Sequence, residues 1–127
     1  MKMNMNGNDK KSYKQIKTFE YRLKESSSMH KKYDNKLCII VEKSKTSSEN
    51  TPNIDKRKYL VPDDLTLGNF SQIIRKRLKM SPSESLILFV AGSNLIPVHE
   101  IMSNIYKEHA DPDGFLYISY TKENTFG

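Results

Sequence analysis

The chain has one cysteine, no apolar run longer than Leu86–Ala91 and no Cys/His cluster with metal-ligand spacing among its 127 residues. A lone Cys38 cannot close an internal disulfide, and it favours a reducing compartment. Crossing a bilayer needs roughly 18–20 consecutive apolar residues, so no span is expected. Met1–Lys11 is rich in Asn, Lys and Met without an apolar stretch, which argues against a secretory signal. His30, His99 and His109 fall at no catalytic or ligand spacing. No nucleophile motif, glycine-rich phosphate loop or paired-carboxylate signature is present. The expectation is a non-enzyme that needs no metal and no cofactor.

What the chain does have is unevenly distributed. Lys and Arg outnumber Asp and Glu by 21 to 15. Residues 1–36 hold ten basic and four acidic side chains, which is the whole surplus, and residues 37–127 hold eleven of each. Among Leu, Ile, Val and Phe, only Ile16, Phe19 and Leu23 precede residue 37, against 26 between 37 and 121. That division reads as one compact neutral domain preceded by a basic arm that packs weakly on it. The arm is either a solvated face or a contact for anionic headgroups, at about 1 kcal/mol per cation near a membrane surface. Nucleic acid suits it poorly, because aromatic interleaving stops at Tyr13, Phe19 and Tyr21.

Local patterns then place the elements. Thr18 can cap a helix over Phe19–Tyr33 with Phe19, Leu23, Met29 and Tyr33 facing inward. Ser26, Ser27 and Ser28 are indifferent helix formers, so this helix should depend on tertiary contact. Leu37–Val41 is an apolar, mostly β-branched run and reads as a central strand. The Ser/Thr/Asn-rich stretch Ser44–Asn53 reads as a loop. Asp55–Pro62, with three consecutive cations ahead of Tyr59-Leu60-Val61, suits an edge strand. Leu67, Phe70, Ile73, Ile74 and Leu78 have helical spacing, with Thr66 as N-cap and Arg75-Lys76-Arg77 toward the C-terminal end. Leu86–Val90 reads as a second fully buried strand, and Val98–His109 as a shorter helix with Ile101, Met102 and Ile105 inward. Asp111-Pro112-Asp113-Gly114 is a turn signal ahead of a last strand, Phe115–Thr121. The order, a helix and then ββαβ(α)β, predicts an α+β fold, the ubiquitin-like β-grasp with an N-terminal helical extension. Its expected divisions are a flexible, partly helical arm over 1–18, the domain over 19–121 and a flexible tail over 122–127.

The block Lys58-Tyr59-Leu60-Val61-Pro62-Asp63-Asp64-Leu65-Thr66 resembles the Atg8 family of ubiquitin-like autophagy modifiers. Further matches are Ile74-Arg75-Lys76-Arg77, Leu88-Phe89-Val90, Met102-Ser103-x-Ile105-Tyr106-x-Glu108-His109, Asp113–Ile118 with Tyr120, and Glu123–Gly127. The quoted blocks run from residue 58 to residue 127, and the resemblance as a whole covers about residues 19–127. The chain departs from the family pattern at Cys38, where a proline is usual, at Tyr33-Asp34-Asn35, and in longer Ser44–Asn53 and Ala91–Pro97 loops.

The resemblance implies two functional regions. The Gly127 carboxylate would be adenylated, passed through thioesters and left as an amide on phosphatidylethanolamine. Glycine has no Cβ to obstruct that approach, and a lipid with two acyl chains meets the two-signal need for stable anchoring. The second region is β-augmentation, in which a short acidic-flanked aromatic-x-x-aliphatic motif pairs with the strand at Lys58–Val61. By resemblance its aromatic residue enters a pocket lined by Glu25, Met29, Ile40, Lys58, Leu60 and Phe115, with Cys38 near the floor. Its aliphatic residue enters one lined by Tyr59, Val61, Pro62, Leu65, Phe70 and Ile73, while Lys56, Arg57 and Arg75 meet acidic residues or backbone. Two buried anchors at roughly 1.5–3 kcal/mol each, offset by the association cost, imply affinity around micromolar. Cys38 itself reads as a buried structural thiol.

Implied partners are E1-like and E2-like conjugation enzymes, a deconjugating cysteine protease, receptors and adaptors with short linear motifs, and phosphatidylethanolamine membranes. No nucleic acid is expected, and the chain should be a monomer. The implied location is cytoplasmic and, when lipidated, the autophagosome membrane or another organelle membrane. Two other readings stand beside this one: an unconjugated basic ubiquitin-fold module that binds membrane or nucleic acid, and a modifier attached to proteins. The Phe126-Gly127 ending, in place of Gly-Gly, disfavours the last.

Overall fold

The computed structural model describes residues 11–123. In chain order its elements are α1 (Tyr13–Ile16), α2 (Phe19–Lys32), β1 (Lys36–Lys43), β2 (Lys58–Pro62), α3 (Leu67–Arg77), β3 (Leu86–Val90), α4 (Met102–His109) and β4 (Leu116–Lys122). The four strands form one sheet in the order β2-β1-β4-β3. β1 is antiparallel to β2 and parallel to β4, and β3 is antiparallel to β4. That is the expected β-grasp.

β1 explains why Leu37-Cys38-Ile39-Ile40-Val41 is apolar throughout instead of alternating. It lies between two strands and is covered on both faces. Leu37, Ile39 and Val41 join the main core with Leu67, Phe70, Ile74, Met102, Ile105 and Ile118. Cys38 and Ile40 point the other way, into a second cluster with Tyr13 and Phe115. Helix α3 follows its sequence signals closely. The Thr66 hydroxyl accepts from the Asn69 N–H while the Asn69 side chain accepts from the Thr66 N–H, closing a capping box.

Four expectations are corrected. Strand β3 is an edge, not a fully buried strand, because only β4 lies beside it; of its residues only Val90 is buried. Strand β2 starts at Lys58 instead of Asp55, since the Asp55 carboxylate turns out to meet Arg77 at 3.2 Å. Helix α4 starts at Met102, with Val98 and Ile101 exposed. The Val98 and Glu100 carbonyls instead accept from the Gly68 and Leu67 N–H groups, satisfying donors that the first turn of α3 leaves free.

The fourth correction concerns the N-terminal helices. Phe19, Leu23 and Tyr33 are exposed, and α2 buries Arg22 and Ser26, with Met29 packed against the second cluster. The reason is Asp113, which has no accessible surface. Its carboxylate meets Arg22 Nη1 at 2.5 Å, Tyr117 Oη at 2.6 Å and the Phe115 N–H at 2.9 Å. Ser26 Oγ donates to the Asp113 carbonyl at 2.5 Å. Nor does the arm pack weakly from Ser12 onward: Tyr13 is buried, and its N–H donates to Glu42 at 2.5 Å. Residues 1–10 lie outside the described residues.

Gly114 lets these pieces meet. Its φ of +89° is one that L side chains rarely adopt, and a Cβ there would fall 2.9 Å from Ser26 Cβ and closer still to Ser26 Oγ. Gly114→Ala is therefore expected to cost about 3 kcal/mol, from backbone strain and a collision with α2. A thermal melt should show Tm lower by about 10 °C. An unchanged Tm would mean that α2 does not press on this turn.

Candidate functional site

The open edge of β2 is the first component. The Val41 N–H donates to the Arg57 carbonyl at 2.8 Å, and the register pairs Ile39 with Tyr59 and Leu37 with Val61. Residues 57, 59 and 61 therefore spend their backbone groups on β1, and alternation turns those of Lys58 and Leu60 to the open edge. The side chains alternate as well. Tyr59 and Val61 enter the main core, whereas Leu60 packs against the second cluster.

On the Leu60 side the six expected residues come together. Ile40 and Phe115 form a buried floor, and Met29 and Leu60 pack on it as partly buried walls. Lys58 Nζ meets Glu25 Oε2 at 2.6 Å across the rim. Cys38 belongs to the same floor. Tyr13 is the member that sequence reasoning missed. Its ring stands edge-on to Phe115 with centroids 5.9 Å apart, its hydroxyl donates to Glu25, and Lys58 Nζ lies 5.7 Å from its centroid. The signal was present in Ser12 and Gln15, which form a capping box and so start a helix at Tyr13.

The second set gathers on the opposite face. Tyr59, Val61 and Phe70 are buried in the main core, with Leu65 and Ile73 packed against it and Pro62 exposed. The Tyr59 and Phe70 rings meet edge-on at 5.8 Å. The three flanking cations are dispersed. Lys56 Nζ lies 5.2 Å from the Tyr59 centroid. Arg57 reaches the Lys11 carbonyl at 2.9 Å and Glu42 at 3.6 Å. Arg75 donates to the Ser81 carbonyl at 2.8 Å, beyond the end of α3. Gly127 lies outside the described residues. Among those described, no group of His, Cys, Asp and Glu could hold a metal ion, and no helix is long and apolar enough to cross a membrane.

An acceptor strand with an apolar cluster on each side can take an extended peptide and two side-chain anchors. Electrostatics near the first cluster follow from burial. Burial, then the hydrogen bond to Glu25, raises the Tyr13 hydroxyl well above the ordinary tyrosine range. Burial, with the Glu25 charge adding to it, pushes the Cys38 thiol up to about 11.

A thiol raised in the folded state ionises first in the unfolded chain, so its contribution is full below pH 9 and declines through about pH 11. The expected loss over that window is up to about 2 kcal/mol. Urea unfolding at pH 7, 9 and 10.5 measures it. Cys38→Ala should make that part of the profile shallower without flattening it. The Tyr13, Tyr59, Tyr106, Tyr117 and Tyr120 hydroxyls are also raised by burial, and they add their own decline as pH passes 10. Equal slopes in wild type and variant between pH 9 and 10.5 would contradict the buried thiol.

Comparison with known proteins bears on most of the chain. The family model described as "Autophagy protein Atg8 ubiquitin like" matches residues 21–127. Autophagy-related protein 8 of Candida glabrata is 46% identical over 118 residues, covering 93% of this chain and 98% of that one. Autophagy-related protein 8B of Oryza sativa subsp. indica is 47% identical over 118 residues, covering 93% and 97%. The crystal structure of Trypanosoma brucei ATG8 aligns with a TM-score of 0.83 at 35% identity, over 92% of this chain and 98% of that one. The likeness thus extends through the sheet, both sides of the β2 edge and the C-terminal residues. The chain belongs to the Atg8 family of ubiquitin-like autophagy proteins.

Proposed function

We propose that this chain is a lipid-conjugated modifier that tethers autophagy receptors and machinery to autophagosomal membranes. It is a substrate and an adaptor, not an enzyme. The binding half rests on one observation: Lys58 and Leu60 turn their backbone groups to an open edge flanked by two apolar clusters. A short motif adds as a strand there, its aromatic residue entering beside Met29, Leu60 and Phe115 and its aliphatic residue beside Leu65 and Ile73. Lys56, Lys58 and Arg57 meet acidic residues that flank the motif. Cys38 leaves the aromatic pocket a smaller and softer floor than a proline ring.

The conjugation half is supported by family membership through residue 127. The Gly127 carboxylate attacks the α-phosphate of ATP, releasing pyrophosphate, and an E1-like cysteine displaces AMP to form a thioester. After transfer to an E2-like cysteine, the amine of phosphatidylethanolamine displaces the thiol and leaves an amide. A cysteine protease reverses the last bond. The unconjugated chain is cytoplasmic, and the conjugate resides on the membrane.

Deleting Gly127 should abolish the lipidated band in a reconstituted reaction while leaving Tm unchanged. A deletion variant that is still lipidated refutes the carboxylate assignment.

Leu60→Ala should weaken an acidic-aromatic-x-x-aliphatic peptide roughly tenfold, by leaving a void beside the aromatic anchor. Lys58→Ala removes a cation and frees the Glu25 carboxylate, so its defect should be larger at low salt. Neither change should alter lipidation. Peptide titrations of both variants decide the matter, and unaltered affinity in Leu60→Ala would remove the site.

A further inference from the structure

Strand β4 outruns its neighbour. β1 pairs with it only as far as Lys43 opposite Tyr120, yet β4 continues to Lys122. The Glu123 N–H donates to the Ser85 carbonyl at 2.9 Å, on the β3 side. Alternation therefore turns the N–H and C=O of Lys122 to the side where β1 has ended. The loop between β1 and β2 takes the place of the missing strand, and it does so with hydroxyls.

The Lys122 N–H donates to Thr51 Oγ1 at 3.0 Å, Thr51 Oγ1 lies 2.7 Å from Ser48 Oγ, and Ser48 Oγ donates to the Lys122 carbonyl at 2.9 Å. With Thr51 donating to Ser48 and Ser48 to the Lys122 carbonyl, donors and acceptors alternate around this ring and the bonds reinforce one another, while Thr121 Oγ1 lies 3.3 Å from Thr51 Oγ1 as an alternative partner. The Ser48 N–H also donates to Thr121 Oγ1 at 3.1 Å. Asn50 Oδ1, 2.8 Å from Ser48 Oγ, is a competing acceptor. Thr51 is buried, and Lys43 Nζ donates to its carbonyl at 3.0 Å. On the far side Lys122 pairs with Glu84.

We propose that Ser48 and Thr51 are positioning residues for conjugation: a hydroxyl clasp that holds the root of the C-terminal tail in the sheet. The proposal rests on the reading of Gly127 as the conjugated residue. Four residues lead from Glu123 to Gly127, a contour of at most about 14 Å, so the position of Glu123 limits where Gly127 can be presented. Opening the clasp leaves Lys122 held on the β3 side alone. The backbone freedom that it gains must be removed again at each encounter with an enzyme, at an entropic cost of about one residue. The cost falls on encounter and not on the chemical step.

The test uses the full chain with activating and conjugating enzymes, ATP and phosphatidylethanolamine liposomes, alongside amide hydrogen exchange. Ser48→Ala/Thr51→Val should raise the KM for conjugation roughly tenfold, since about one residue's backbone entropy corresponds to that factor. The saturated rate should stay unchanged, and Lys122 exchange should quicken. The hydroxyl-keeping variants Ser48→Thr and Thr51→Ser should behave as wild type. If the double variant fails to fold, Ser48→Ala alone should shift KM and exchange in the same direction. Unchanged Lys122 exchange overturns the clasp, and faster exchange with unchanged KM overturns its positioning role. A wild-type chain that is never conjugated overturns the Gly127 reading itself, and the exchange data then show separately whether the clasp exists.

Discussion

A buried carboxylate organises the N-terminal half of the molecule. Asp113 has no accessible surface, and a charge in that position is tolerated only when it is paired and hydrogen-bonded. Arg22, Tyr117, Ser26 and the Phe115 N–H supply those partners from α2 and from the start of β4. Turning Arg22 and Ser26 toward Asp113 sets the rotation of α2. Glu25 and Met29, three and seven residues after Arg22, then share the inner side of the helix. There Met29 packs on Ile40 and Phe115, and Glu25 reaches Lys58. One wall of the second apolar cluster is thus a consequence of satisfying a charge elsewhere.

The sheet supplies the rest of the candidate site through its order. β1 and β4 occupy the middle, which leaves β2 and β3 as edges. An edge strand offers unpaired backbone groups, a liability that charged side chains ordinarily blunt. Lys56, Arg57 and Lys58 have that character, and they also suit an acidic incoming strand. In the proposed function, the charges that discourage neutral strands from pairing are the ones that favour an acidic motif, so selectivity and protection would share one physical origin.

The two ends of the sheet treat the loss of a strand neighbour differently. Along β2 the backbone stays open for a partner. Past the end of β1, at Lys122, side-chain hydroxyls of Ser48 and Thr51 fill the role of a strand. The loop that carries them, Ser44–Asn53, faces Thr121 and Lys122 instead of the two apolar clusters beside β2. The proposed peptide capture and tail presentation thus fall on separate parts of a small domain.

Much of this was legible in the residues themselves. The apolar run of β1, the capped periodicity of α3, the turn at Asp111–Gly114 and the basic edge of β2 are local signals, each read from the transfer energy or backbone preference of neighbouring residues. The family blocks added the two pocket sets, which the fold brings together on opposite faces of the sheet. Periodicity failed where burial depended on a remote partner. Arg22 is buried because Asp113 waits 91 positions away, Tyr13 because Glu25 and Phe115 receive it, and Val98 leaves its helix because α3 takes its carbonyl. Sequence by itself determined the strands, the central helix and the residues able to form a site. Tertiary structure decided which polar side chains go inside, because the free energy of burying a polar group is set by the partner it meets and not by its neighbours in the chain.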